Sequence, residues 1–513
     1  MAKKRGERLK EKKEGGDWEC NLDGDFKTPV RTFRDLTFQN IRDILMHSRY
    51  MQLLLSLTIV GLFLRFFNLG YNSLWLDEAS THSFAIMSIP DIWKATTGGE
   101  FNPPLFYWIE HGMLAFGNNE FVLRFVPALL GVLTIPLVYY VGKEFMDRNV
   151  GIIAAAAFAF SPFLIFYSQE ARAYSMMLFF VAFAMIFYFR AMKTNDITNW
   201  ALFGLLSALA FWSHFYALVI IGALVLYALA VQILKYYKDI KNLIPIIIGG
   251  VVFAVICLPL VLVTFQLFAS RTSSGPTFGL QGLNVILVTF QQVAAFSNTA
   301  FSDITMYLLL ILFAAGIIWA CIFDKKKGIF LVLLTVLSFV ISFILSYKMP
   351  MVPRYLIFFS IVFFLGIAMC YRPICSLLNN RGVVYGLIAL LIVINLPALV
   401  DYYSGYSKDD WRGFSGQLQQ ITKPGDFVVV VPGYVSQPLD YYYSHAADQT
   451  DESGADTAKA LDAIYLRKAN NTIYYVVTGD IVSANPDGDA LAWLKEHSKP
   501  LGQRTGIYLF TSA

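Results

Sequence analysis

Four short segments carry ionisable residues at the ends of apolar runs, where charge is costly unless it is paired, solvated or used. Asp77 and Glu78 adjoin in Ser73-Leu74-Trp75-Leu76-Asp77-Glu78-Ala79. Neighbouring carboxylates repel, which suits one of them to base catalysis, although a solvated helix start also places acids this way. Asn102-Pro103-Pro104-Leu105-Phe106-Tyr107 reads as a stiff corner leading into a helix. Glu170 and Arg172 fall in Tyr167-Ser168-Gln169-Glu170-Ala171-Arg172-Ala173-Tyr174, a turn so short that both must lie near a membrane surface, as a site or as a local ion pair. Arg354 and Tyr355 follow Pro350-Met351-Val352-Pro353. A guanidinium and a phenol suit bidentate phosphate contact, and equally suit headgroup anchoring in an aromatic belt. His214 stands at another turn, as an interfacial residue or a ligand.

The elements that must position these groups are membrane helices. Of 513 residues, 57% are hydrophobic and 15% charged, against about 45–50% and 25% in soluble proteins. Mean hydropathy is +0.55. Residues 1–16 hold seven Lys or Arg and three Glu, and account for the whole net charge of +4. That tail suits an anionic cytoplasmic leaflet. Residues 401–513 hold nine basic and fourteen acidic residues, which excludes a nucleic-acid partner there. The first apolar run starts near Met51, too late for a cleaved signal. Residues 1–30 read as disordered, and 31–50 as an interfacial helix.

Eleven apolar runs are long enough to span a bilayer, near 51–68, 121–142, 150–167, 174–192, 199–213, 215–234, 243–268, 304–323, 329–347, 355–371 and 383–400. With the N-terminus inside, connections assigned to the inside carry twelve Lys or Arg and those outside five, in accord with the positive-inside rule. The expected organisation is a basic tail with an interfacial helix over 1–50, a transmembrane domain over 51–400 with external loops 71–120 and 269–303, and an extracytoplasmic α/β domain over 401–513. In the last, strands are expected at 426–431, 472–478 and 506–511, and helices near 411–421, 457–468 and 487–497. The five cysteines read as packing residues without redox or metal work.

Taken together, Arg65-Phe-Phe-Asn-Leu with Leu76-Asp77-Glu78-Ala79, Asn102-Pro-Pro-Leu-Phe-Tyr, Phe121-Val-Leu-Arg124-Phe-Val-Pro-Ala, Ser161-Pro162 with Tyr167-Ser-Gln-Glu170-Ala-Arg172-Ala-Tyr174, Ser213-His214-Phe215 and Pro353-Arg354-Tyr355 resemble the C-type polytopic glycosyltransferases. The similarity is to the glycosyltransferase family 39-like, prokaryotic type, which groups protein O-mannosyltransferases with aminoarabinose transferases. It covers roughly residues 60–360. The family often has His-Pro-Pro where this chain has Asn102-Pro103-Pro104, so an imidazole role does not carry over.

The resemblance implies an all-α polytopic membrane protein of about eleven helices with a C-terminal extracytoplasmic α/β domain. It implies transfer of a single hexosyl or pentosyl group from a polyprenyl-phosphate donor to an acceptor hydroxyl, with inversion, on the extracytoplasmic face of the cell membrane. Protein, glycolipid and growing glycan remain open as acceptors, and membrane lipid is the further partner. Asp77 is then the base, with Glu78 supporting it or orienting the sugar and Glu170 the third catalytic acid. Arg172, Arg354 and Tyr355 would meet the phosphate, Asn102 and His214 would line the substrate site, and Arg124 would join them or pair with an acid. No cofactor is required; a divalent metal is compatible but not implied, and no metal ligands are assigned. The absence of the Trp-Trp-Asp signature of oligosaccharyltransferases argues against block transfer of a glycan. The competing class is a transporter or lipid-linked sugar flippase, which would place polar groups in mid-membrane and show repeated halves; no repeat is visible.

Overall fold

The structure, a computed structural model, describes residues 20–24, 37–100, 102–274, 276, 278–296, 300–378, 380–405, 407–443, 451–468 and 471–512. Of the stretch expected to be disordered, all but 20–24 lies outside these residues. Helix α1 (Phe38–His47) precedes α2 (Arg49–Phe66), whose first turn is capped by Ser48. Three helices follow in the first long connection: α3 (Leu76–Ala85), α4 (Ile89–Gly98) and α5 (Leu105–Met113). The bundle continues with α6 (Glu120–Phe145), α7 (Arg148–Phe160), α8 (Pro162–Ser168), α9 (Tyr174–Thr194), α10 (Ile197–Ser213), α11 (Ala217–Tyr236) and α12 (Ile244–Ser274). The second long connection contains α13 (Leu283–Ala294). Then come α14 (Ser302–Phe323), α15 (Lys325–Leu345), α16 (Phe359–Met369), α17 (Tyr371–Leu378) and α18 (Gly382–Tyr403).

Among the described residues nine helices are long and apolar enough to cross a membrane, and the α7–α8 pair, bent by 61°, makes a tenth. The remaining expected run is α10, an apolar helix of 17 residues. All eleven runs are therefore helical, and the chain is a multi-pass membrane protein. On α12, Ile247, Val251, Val255 and Leu258 form an exposed stripe at helical spacing, the face a lipid solvent permits. Its opposite face packs closely: a Cβ at Gly204 would lie 2.1 Å from the Gly249 carbonyl oxygen, so only glycine lets α10 and α12 approach this way.

The bend between α7 and α8 follows from Ser161-Pro162. Proline removes a backbone donor and leaves carbonyls at the end of α7 open. Buried Arg65 supplies them, donating to the carbonyls of Phe158 at 3.2 Å and Ala159 at 3.1 Å. Gln169 in turn donates to the carbonyls of Leu64, Arg65 and Phe67 at the end of α2, the nearest at 2.9 Å, and its own oxygen accepts from the Tyr402 hydroxyl at 2.6 Å. These bonds fix the short turn that holds Glu170 and Arg172.

After α18 the chain forms α19 (Trp411–Ile421), β1 (Phe427–Val431), α20 (Ser436–Tyr442), β2 (Asp451–Gly454), α21 (Ala458–Arg467), β3 (Ile473–Thr478), α22 (Asp489–His497), β4 (Ser498–Arg504) and β5 (Ile507–Ser512). The sheet order is β2-β1-β3-β5-β4, with β1 parallel to β2 and β3, and β5 antiparallel to β3 and β4. Strands β1 and β3 are buried on both faces, which explains their unbroken apolar runs. Strands β2 and β4 and helix α20 were not expected from the sequence.

One expectation fails at the opposite end of the bundle from the sheet. Cys20 and Cys375 form a disulfide across 355 residues, with Cα atoms 6.7 Å apart. Partners so distant leave no spacing signal, so reading all five cysteines as packing residues was wrong for this pair. Around them Asp23 accepts from Arg148 at 2.8 Å and from Ser48, and Asn149 donates to the Cys20 carbonyl at 3.2 Å. Cys257, Cys321 and Cys370 are free.

Candidate active site

Helix α3 starts at the end of the bundle that carries the sheet, and its first turn holds both acids of the Asp77-Glu78 pair. A helix N-terminus presents free backbone donors and a positive dipole end, which favours carboxylates there. The two acids nonetheless meet different surroundings. The Glu78 side chain is fully buried and accepts from Arg124 Nε and Nη2, each at 2.7 Å, from Lys408 Nζ at 3.0 Å and from the Ala171 amide at 2.9 Å. Burial raises the affinity of Glu78 for a proton, but the Arg124 and Lys408 charges and these bonds outweigh it and hold the carboxyl at about 2. Its Oε2 also reaches back to the Trp75 amide at 3.4 Å, tying down the start of α3.

Arg124 spends its other donors on the carbonyls of Leu69, Asn72 and Ser73 at 2.8–3.0 Å. All five of its N–H groups are occupied, so none is left for a ligand. Of the two roles open to Arg124 in the sequence, it takes that of acid partner.

Asp77 points into the open part of the site, with its side chain 23% exposed. Its Oδ2 lies 3.4 Å from Arg354 Nη2 and 4.0 Å from Arg172 Nε. Arg172 also donates to the Asp77 carbonyl at 3.2 Å. The Arg354 guanidinium lies over the Trp75 ring at 5.4 Å and over that of Tyr355 at 5.7 Å from the ring centroids. The sequence thus brings Asp77, Arg172 and Arg354 from three distant segments to one point.

Glu170 is also buried, with Oε1 3.7 Å from Lys408 Nζ. Burial raises its pKa to about 7, with Lys408 lowering it and Glu78 raising it further. His214 is buried against the Tyr174, Tyr216 and Tyr355 rings, with centroids 5.3–5.6 Å apart. Burial, then the Arg172 and Arg354 charges, push its pKa down to about 3, so the imidazole is neutral. Its Nδ1 accepts from the Tyr216 amide at 3.3 Å, which leaves the proton on Nε2. Asn102 lies at the margin: its amide donates at 2.8 Å to Glu100, which also accepts from Tyr107 at 2.9 Å.

Several polar atoms here are buried without a hydrogen-bond partner among the described residues: Trp75 Nε1, Tyr174 Oη, His214 Nε2, Arg354 Nε and Glu170 Oε2. Native proteins rarely leave such atoms unsatisfied, and a cluster of them is the signature of a polar ligand site. Among the described residues no three His, Cys, Asp or Glu side chains gather to hold a metal. Beside Glu170 and Lys408 a cavity of about 630 Å³ opens between α8, α13 and α18, lined by Phe166, Gln291, Phe296, Tyr402 and Ser407.

Reading the sequence for function passed over Trp75, which lies next to the acidic pair, and Lys408. Lys408 follows the last span directly and belongs to a charged Lys408-Asp409-Asp410 run, the same span-end signal that marked the other four segments.

This arrangement defines a C-type polytopic glycosyltransferase fold. ArnT from Cupriavidus metallidurans, solved bound to undecaprenyl phosphate, superposes over 90% of this chain and 98% of its own with a TM-score of 0.58 at 13% identity. The archaeal oligosaccharyltransferase AglB from Archaeoglobus fulgidus, in complex with an inhibitory peptide and a dolichol-phosphate, superposes over 91% of this chain and 75% of its own, with a TM-score of 0.52 at 13% identity. Within this fold, residues 102–263 match the family described as dolichyl-phosphate-mannose-protein mannosyltransferase. An uncharacterized protein of Aquifex aeolicus is 34% identical over 112 residues; the match spans 20% of this chain and 22% of that relative.

Proposed function

We propose that the protein transfers a single sugar from a polyprenyl-phosphate donor to an acceptor hydroxyl, with Asp77 as the base. The observation that carries this reading is the open Asp77 carboxylate held against two guanidiniums within a ring of unpartnered polar atoms. The donor is a phosphodiester with one negative charge, and the departing lipid phosphate gains a second. Arg354 and Arg172 are the fixed positive charges available to meet it. When the phosphate enters, it competes for the guanidiniums that hold Asp77. The carboxylate is then released toward the acceptor. The acceptor oxygen bonds to the anomeric carbon as the bond from that carbon to the phosphate oxygen breaks. The hydroxyl proton passes to Asp77, and the lipid phosphate leaves. A single displacement inverts the centre.

Glu78 acts here through position, by fixing the turn that aims Asp77. Neutral His214 and Tyr355 supply donors to the sugar or phosphate, and Asn102 shapes the margin. The titratable groups of the site gather at the end of the bundle and not in mid-membrane, which favours this reading over a transporter or flippase. Whether the sugar is a hexose or pentose, and whether the acceptor is protein, glycolipid or glycan, follows from product analysis. Purified protein incubated with labelled polyprenyl-phosphate sugar and envelope extract should yield labelled product whose anomeric configuration is opposite to the donor's. Labelled donor moved across vesicles without bond cleavage would establish the transporter instead.

The orientation follows from the same chemistry. The resemblance implies use of such a donor on the extracytoplasmic face, and the Lys and Arg bias supports that side for the site end. The opposite end then holds the Cys20–Cys375 disulfide in a compartment where disulfides are rare. An impermeant thiol reagent added to intact cells should label Lys495→Cys above the wild-type background and leave Lys326→Cys unlabelled. The reverse pattern inverts the topology.

A further inference from the structure

The segment after α18 reaches into the site. Lys408 Nζ lies 3.0 Å from Glu78 and 3.7 Å from Glu170, with its side chain 5% exposed. Around it, the same stretch grips the loop that precedes Asp77. The Ser407 amide donates to Asn72 at 3.0 Å, the Arg412 amide to Ser73 at 3.1 Å, and Arg412 Nη2 to the Tyr71 carbonyl at 2.6 Å. From α20, the Tyr442 hydroxyl accepts from the Leu74 amide at 2.7 Å and donates to Glu120 at 2.7 Å.

We infer that Lys408 is a positioning residue for the transfer reaction: it bridges Glu78 and Glu170, favours the ionised form of Glu170, and makes the region after Tyr403 part of the active site rather than an appendage. The inference rests on the transfer reading above and deepens it.

The charge balance supports it. Arg124, Arg172, Arg354 and Lys408 face Asp77, Glu78 and Glu170, so with Glu170 ionised the cluster carries one net positive charge, matching a phosphodiester monoanion. An ionised Glu170 also attracts the proton that the acceptor gives up beside it, so it favours proton transfer, and a protonated one does not. The groups that act on Glu170 are Asp77 and Glu78 from α3, Tyr167 from α8, Tyr174 from α9, Arg354 before α16, Tyr402 from α18 and Lys408. Of the cations among them only Lys408 lies within ion-pair distance. Among the described residues Glu170 Oε2 has no hydrogen-bond partner, so removing Lys408 leaves only the weaker charge of the more distant Arg354 to favour ionised Glu170.

The sign follows. With Lys408 gone, Glu170 binds its proton up to a higher pH, so the acidic limb of the pH–rate profile moves upward. Each unit of movement lowers turnover about tenfold on that limb. Lys408→Met is expected to lower kcat about fivefold at pH 7 for each such unit and about tenfold at lower pH, to recover at higher pH, and to change the donor KM less than twofold. Lys408→Arg should keep the wild-type limb. Tyr442→Phe loosens the same interface without touching the charge, so its limb should stay in place even where its rate falls.

A second readout does not depend on transfer. A carboxyl with a raised folded-state pKa loses stability as pH rises from its unfolded value to its folded one. The wild-type melting temperature should therefore fall as pH rises toward 7, and that fall should extend to higher pH in Lys408→Met. If Lys408→Met does not fold, the double variant Lys408→Met/Glu170→Gln, which buries no unpaired Glu170 charge, should fold and lose the limb altogether. An active wild type whose limb and melting profile are unmoved in Lys408→Met overturns the inference. A wild type inert on every donor, with the melting profile moved in Lys408→Met, overturns the transfer reading instead.

Discussion

Asp77→Asn should reduce turnover by about 10²–10⁴-fold, the range associated with loss of a general base. The side chain is only partly enclosed and packs against charges rather than core, so the amide fits where the carboxylate was. Melting temperature in detergent should hardly change. Donor binding should not weaken either: removing one negative charge from a site that grips phosphate leaves the guanidiniums freer for it. The expected pattern is thus a collapsed kcat with a donor KM equal to or below that of the wild type, measured as initial rates against donor concentration. A folded Asp77→Asn protein with near-normal kcat removes Asp77 from the mechanism.

Arg354→Lys should cut transfer more than tenfold while leaving thermal stability nearly unchanged. If Arg354 only anchors a helix end, lysine replaces it, since both side chains reach the interface with one charge. If it holds the departing phosphate, the planar fork matters. That fork lies over the Trp75 and Tyr355 rings, with Nη2 3.4 Å from Asp77 Oδ2. A lysine ammonium has no plane to stack. Loss of one charge-assisted hydrogen bond costs about 1.5–3 kcal/mol, or about 10- to 150-fold in rate if felt in the transition state. Equal rates for lysine and arginine would leave anchoring as the explanation and move the phosphate contact to Arg172.

The membrane helices were legible because lipid imposes one rule on every span: all eleven apolar runs are helical, the run 150–167 as a bent pair. Asp77, Glu170, Arg172 and Arg354 stood out because charge at a span end needs a reason. What the sequence concealed was the division of labour. Asp77 and Glu78 are neighbours of similar chemistry, and only the fold shows one facing open space and the other locked to Arg124 and Lys408. Lys408 is 330 residues from Glu78, beyond any local pattern. In the sheet, β1 and β3 announced themselves by continuous branched and aromatic residues, whereas β2 (Asp-Glu-Ser-Gly) has little strand preference and β4 is interrupted at Pro500 and Gly502.

The loop from Asn68 to Trp75 has no regular structure, yet its carbonyls are taken by Arg124 and Arg412 and its Leu74 amide by Tyr442. Ordering a free loop takes about 1–2 kcal/mol per residue. Here folding has already met that entropy, so on the proposed reading a donor meets a base whose supporting loop is already ordered. The donor's binding energy is then spent on displacing Asp77 from the guanidiniums and not on ordering this loop. For the lipid-linked donor proposed above, a rigid approach to the base lets an encounter lead to turnover without waiting for a loop to close.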